Sequence, residues 1–155
     1  MAENSGFIGL GATLEISDEA SPEVWTAIAN VKSIDGPNDT TEIVDTTHLS
    51  STGGYREKRP HLQDGGTVGA EVSFDPSHAT HDESTGILYI KRNKLKKKYR
   101  INWSGAVDKD GAAVPYGEQF FGYVTNTSRN TPMDDLVGMS FEITVTGAPA
   151  IVDIA

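Results

Sequence analysis

The chain has 155 residues, a formal net charge of −9 and no cysteine. That length suits one domain that buries a core without covalent staples. The absence of thiols excludes disulfides, cysteine nucleophiles and thiolate zinc clusters, and the acidic balance argues against nucleic-acid binding as the main task.

The first residues, Met1 to Gly6, lack the basic-then-apolar pattern of a secretory leader. No apolar run approaches the ~20 residues of a membrane-spanning helix. Alternation of apolar and polar residues then recurs along the chain, as half-buried strands require. Ala12, Leu14 and Ile16 alternate with Thr13, Glu15 and Ser17. Less regular strands are expected within Val24 to Ile34 and Glu42 to Thr46. Val68, Ala70, Val72 and Phe74 form the next alternating set. A helix follows, with two candidate starts: Asp75-Pro76-Ser77, with Asp75 as N-cap, or Thr80-His81-Asp82-Glu83 as a capping box. Ile87, Leu88, Ile90 and Leu95 supply its apolar stripe. Tyr99, Ile101 and Trp103 alternate next, then a strand is expected over Gln119 to Asn126, then Phe141, Ile143 and Val145 alternate. About seven two-faced strands and one flanking helix predict a mainly β fold, an antiparallel sandwich or barrel.

Two stretches read as loops. Residues 46–66 carry Gly53-Gly54, Pro60 and Gly65-Gly66 with five charges between Arg56 and Asp64, and no sustained apolar period. A structureless segment of that length in a compact domain is usually functional. The second spans Asp108 to Gly117, with Lys109-Asp110-Gly111 as a hairpin-like turn. Residues after 147 read as a short tail, and the whole of 1–155 as one domain.

Chemistry-bearing motifs are sparse. His78 and His81 are spaced i, i+3 beside Asp82 and Glu83, and a solvated polar turn explains them better than a metal site. The Gly6 to Gly11 stretch lacks dinucleotide-fingerprint spacing, and no nucleophile elbow or phosphate-binding loop is present. The Asp134-Asp135 pair reads as a solvated turn. No cofactor, no metal and no enzymatic activity are expected.

Charge is distributed unevenly. Lys91 to Arg100 holds seven of the 13 basic residues, leaving 6 basic against 22 acidic residues elsewhere, a balance of −16. Three readings of this run stand side by side: binding of nucleic acid or another anionic partner, a solvated helix end running into a strand, or a patch meeting the acidic face of the next copy. Head-to-tail contacts of the last kind close into rings when the rotation permits.

Three stretches resemble the lambda-type family of phage tail tube proteins. They are Trp25 to Pro37 with Glu42 to Thr47, Tyr55 to Val68 running on to Asp75, and Phe121 to Thr125 with Thr131 to Val137 and Phe141 to Gly147. The resemblance implies a structural virion protein that forms stacked hexameric rings in the phage tail, assembled in the host cytoplasm. Its implied partners are other copies of itself, a tape-measure protein, a tail terminator and a tail-assembly chaperone. DNA would pass through an acidic lumen without specific binding. By resemblance the 46–66 segment contacts the next ring, which nominates Arg56, Lys58, Arg59 and Asp64 for stacking. Lys96, Lys97 and Lys98 are candidates for lateral contacts, and Glu71 and Glu142, on polar strand faces, for the lumen wall. The same fold serves contractile injection systems, so a tail terminator or secretion tube is the alternative. A monomeric ligand-binding sandwich, with Trp25, Trp103, Tyr116 and Tyr123 as stacking faces, is a further one.

Overall fold

The computed structural model describes residues 9–50, 52–105, 110 and 116–153. Its framework is one antiparallel sheet of seven strands in the order β2-β1-β7-β8-β9-β6-β3. The strands are β1 (Thr13–Ser17), β2 (Trp25–Ala27), β3 (Val31–Asp35), β6 (Thr67–Ser73), β7 (Lys96–Trp103), β8 (Tyr116–Asn130) and β9 (Gly138–Asp153). Two further strands, β4 (Thr40–Asp45) and β5 (Lys58–Asp64), pair with each other outside this sheet. Among the described residues one α-helix, α1 (Ile87–Arg92), packs near β8.

Alternation explains the sheet. Leu14, Val68, Ala70, Val72, Tyr99, Ile101, Phe120, Met139, Phe141, Ile143 and Val145 are all buried in one cluster. Their neighbours in sequence point to the other face. The sheet folds around this core until β1 and β3 approach each other, and Ile87, Leu88 and Ile90 of α1 complete it. Burying such side chains stabilises by roughly 1.5–3 kcal/mol each before entropy is charged against it.

Several expectations need correction. Residues 46–66 are not one loop, because Lys58–Asp64 forms β5, paired with β4 from Asp45↔Lys58 to Thr40↔Asp64. Pro60 is tolerated there because β5 lies at an edge beside a register shift between Thr41 and Ile43. The segment after 147 is not a tail, because β9 runs on to Asp153 and pairs with Tyr116–Gln119 of β8. Gly147, Ala148 and Pro149 form an irregularity where the register jumps from Phe121↔Thr146 to Gln119↔Ala150. The Val24–Ile34 stretch is two strands, separated by Ile28 to Asn30.

The helix is shorter than expected and uses neither predicted start. Asp75 holds a local turn, accepting from the Ser77 N–H and hydroxyl. Asp82 accepts N–H bonds from Ser84, Thr85 and Gly86, so its carboxylate orders the turn before the helix. The helix then begins after Gly86, where a β-carbon would lie 2.5 Å from the Asp82 nitrogen. The loop expected over 108–117 lies outside the described residues, apart from Asp110 and the start of β8.

His81 is not solvated either. It is fully buried, its Nε2 lies 2.8 Å from the Ala29 carbonyl, and its Nδ1 accepts the Asp75 N–H at 3.1 Å. The ring therefore pins the pre-helix turn to the β2–β3 connection. His78 is exposed, and its Nδ1 accepts the Thr80 N–H at 3.2 Å.

Candidate assembly surfaces

Three surfaces stand out, and two of them carry the charged residues singled out by sequence. The first is the polar face of the sheet. Pairing aligns Glu71 with Ser140 and Glu142 with Gly69, and Ser33 with Glu71, so both candidate lumen glutamates sit exposed on one face. Asp35, opposite Gly69, adds a third carboxylate.

The same face carries a basic and aromatic patch at the β7 side. Lys98 lies opposite Phe121, and Lys96 opposite Tyr123. The Lys96 and Lys98 ammonium groups stand 5.1 and 5.9 Å from the Phe121 ring centroid. Lys98 also pairs with Glu23 at 3.3 Å and lies 5.5 Å from the Trp25 ring. Arg100 stacks on Trp25 at 4.3 Å and pairs with Glu15, both side chains being largely buried. Bonds from Ser17 and from Lys98 hold the Glu23 carboxyl below the usual range, with Ser17 the larger cause. Lys97 does not join this patch. Alternation turns it to the opposite face, beside Tyr89 and Ile90 of the helix. Thus Lys91 and Arg92 close the helix, while Lys96 to Arg100 belong to a strand with two different faces.

The second surface is the β4–β5 hairpin. Every residue of both strands is exposed, including Ile43 (54%), Val44 (43%) and Leu62 (66%). Its connecting loop adds Leu49 and Tyr55, also exposed. Thr47 closes this loop by accepting the Glu57 N–H at 2.8 Å, and His48 lies 3.6 Å from the Glu57 carboxylate. Of the predicted stacking residues, Arg56, Lys58 and Arg59 cluster near the tip. Asp64 does not: it sits at the base, where its carboxylate accepts the Gly66 N–H at 2.8 Å. Gly66 has φ 72°, and a β-carbon there would meet the Asn38 carbonyl at 2.0 Å, so this turn needs glycine.

The third surface is the outer half of β9, beyond Val145, where β8 is the strand that pairs with it. Sequence reading missed it because its residues are mostly exposed and do not alternate. The aromatic residues proposed as a ligand platform divide between two faces: Trp25 and Tyr123 lie on the polar face, while Trp103, opposite Tyr116, packs against the core.

A mainly β subunit with a two-faced sheet and an unburied hairpin has the surfaces that a building block needs. Residues 11–153 match the family described as phage tail tube, TTP, lambda-like. The chain belongs to the lambda-like phage tail tube family. It is a structural protein of the virion tail rather than an enzyme. No curated protein matches it in sequence. Among solved structures, it is similar to the tail of an empty gene transfer agent particle, refined with C6 symmetry, at 17% identity and TM-score 0.64, covering 90% of this chain and 95% of that one. The SPP1 tail tube is similar at 12% identity and TM-score 0.65, covering 96% and 80%. The anti-feeding prophage baseplate is similar at 7% identity and TM-score 0.68, covering 99% of both. At these identities the likeness is one of fold.

Proposed function

We propose that copies of this chain, each a single domain over 1–155, close into six-membered rings that stack into a hollow tail tube for DNA. The observation that carries this reading is the β4–β5 hairpin. An isolated two-stranded hairpin is marginally stable in water, and this one leaves Ile43, Val44, Leu62, Leu49 and Tyr55 exposed. Cover from a neighbouring ring accounts for both facts. The six-fold order is supported by the C6 symmetry of the gene transfer agent tail and the 6-fold symmetrised prophage baseplate.

In this reading the polar sheet face lines the lumen. Glu71 and Glu142 make its wall repel phosphate, so DNA slides without adhering. Lys96 and Lys98 lie on the β7 side of that face and serve lateral contacts; Lys97 faces the helix and supports that contact from behind. A tape-measure protein, a tail terminator and a tail-assembly chaperone are the further partners, met in the host cytoplasm during assembly.

Negative-stain electron microscopy of the concentrated protein at moderate salt tests the reading. Hollow tubes or stacked rings of constant diameter are expected. Monodisperse small particles at every concentration and salt would count against self-assembly.

A further inference from the structure

The hairpin carries opposite charge at its two ends. At the base, two adjoining hollows of about 550 and 420 Å³ share Gln63, Asp64, Gly65 and Gly147, between β5 and the outer half of β9. Asp39, Glu42, Asp64 and Glu118 line this cleft, and among the described residues no basic side chain does. Exposed Leu62 and Ile151 supply apolar cover, and the outer half of β9 presents an edge facing away from β8. At the tip, Arg56, Lys58 and Arg59 fall within four residues and outnumber Glu57 and Asp45, the latter opposite Lys58, next to exposed Tyr55.

These ends cannot meet within one copy. Lys58 and Asp64 stand at opposite ends of β5, roughly 20 Å apart at the usual rise per strand residue. A tip and a base that match yet cannot touch in one molecule define a heterologous contact. Repeated, such a contact makes an open stack rather than a closed pair.

We propose that the hairpin tip of one copy seats in the base cleft of the copy above or below it, with Arg56, Lys58 and Arg59 meeting Asp39, Asp64 and Glu118. This rests on the stacked-ring reading and adds the acceptor surface, which lies outside the loop itself. The four stacking residues expected from sequence then divide into three donors and one acceptor. Glu118 supports the assignment independently. Its burial, and secondly the charge of Asp39, push its carboxyl above the usual glutamate range. A cation arriving in the cleft relieves that unfavourable pairing.

The absence of native cysteine makes the test clean. A double variant, Arg59→Cys with Glu118→Cys, is assembled into tubes, oxidised and run on non-reducing gels. A ladder of covalent multimers is expected, while each single variant yields at most dimers. Should Glu118→Cys fail to fold, Ala148→Cys places the thiol on an exposed residue of the same cleft. Tubes of normal appearance with no ladder would overturn the tip-to-cleft contact and leave the tube reading standing. The absence of both tubes and ladder would overturn both. As a second arm, Arg56→Glu with Arg59→Glu is expected to give single rings in place of tubes; full-length tubes from that variant would reject the contact.

Discussion

The β6–β9 pair and the β4–β5 hairpin are both antiparallel ladders of comparable length, yet they are built on different terms. In the first, Val68, Ala70 and Val72 lie beside Ile143, Phe141 and Met139, all buried, with polar side chains on the opposite face. In the second, Ile43 lies opposite Pro60 and Val44 opposite Arg59, and every residue of both strands is exposed. One ladder is stabilised by the core of its own subunit. The other has the composition of a contact region, exposed apolar residues flanked by charge, and its stabilisation has to come from outside. Substitutions should therefore separate the two: those in the first ladder act on folding, those in the second on assembly.

The largest effect belongs to the first ladder. Phe141 is 2% exposed at the centre of the core. Phe141→Ala should destabilise the monomer by about 3–5 kcal/mol through lost transfer energy and the cavity left behind. For a chain of this size that corresponds to a fall in Tm on the order of 10 °C. A fall of less than ~2 °C by circular dichroism would mean that the core is not centred there.

The hairpin should respond in the opposite sense. Leu62→Ser removes apolar area that water already reaches, so monomer stability should stay within ~0.5 kcal/mol of the parent. Tube yield by sedimentation should drop severalfold, because the same side chain would be covered on stacking. A variant that melts early but still forms tubes would break the comparison, since it would show the hairpin packed within its own subunit.

Legibility in the sequence followed the same division. Burial on one face writes an alternating pattern, so β1, β6, β7 and the inner half of β9 were readable from Leu14, Val72, Ile101 and Ile143. β5 and the outer half of β9 carry no such pattern, because both of their faces are largely exposed; pairing alone makes them strands, and pairing leaves little trace in composition. The lysine run was visible, but its split into two faces depends on Lys96 lying in a strand rather than a helix. The base cleft was illegible, because it joins Asp39, Asp64, Glu118 and Ile151 across distant segments. Of these only Asp64 stands out in sequence, and as part of a loop rather than as an acceptor. His81 reads as solvated in sequence for a similar reason, since its partners, at Ala29 and Asp75, are backbone groups that no motif records.

Glu118 joins the two regions, and its expected effect is the smallest. It lies on β8 opposite Ile101, at the inner wall of the cleft. Because its carboxyl is raised in the folded chain, the fold binds that proton more tightly than the unfolded chain does. Its contribution is therefore most favourable below the unfolded glutamate value of about 4.3 and is lost as pH rises through the folded-state value. Glu118→Gln should raise monomer stability at pH 7 by only a few tenths of a kcal/mol, on the order of 1 °C in Tm, because water still screens the group. The gain should shrink as pH falls toward 4, where the parent carboxyl is itself neutral. The same variant removes one of the anions that the tip cations of the next copy would meet, so tube formation should weaken while the monomer becomes sturdier. Thermal melts from pH 4 to 8 alongside sedimentation of tubes would measure both. A loss of monomer stability at pH 7 would show that Glu118 is held by a favourable partner within its own subunit, and would leave the cleft without a reason to attract a cation.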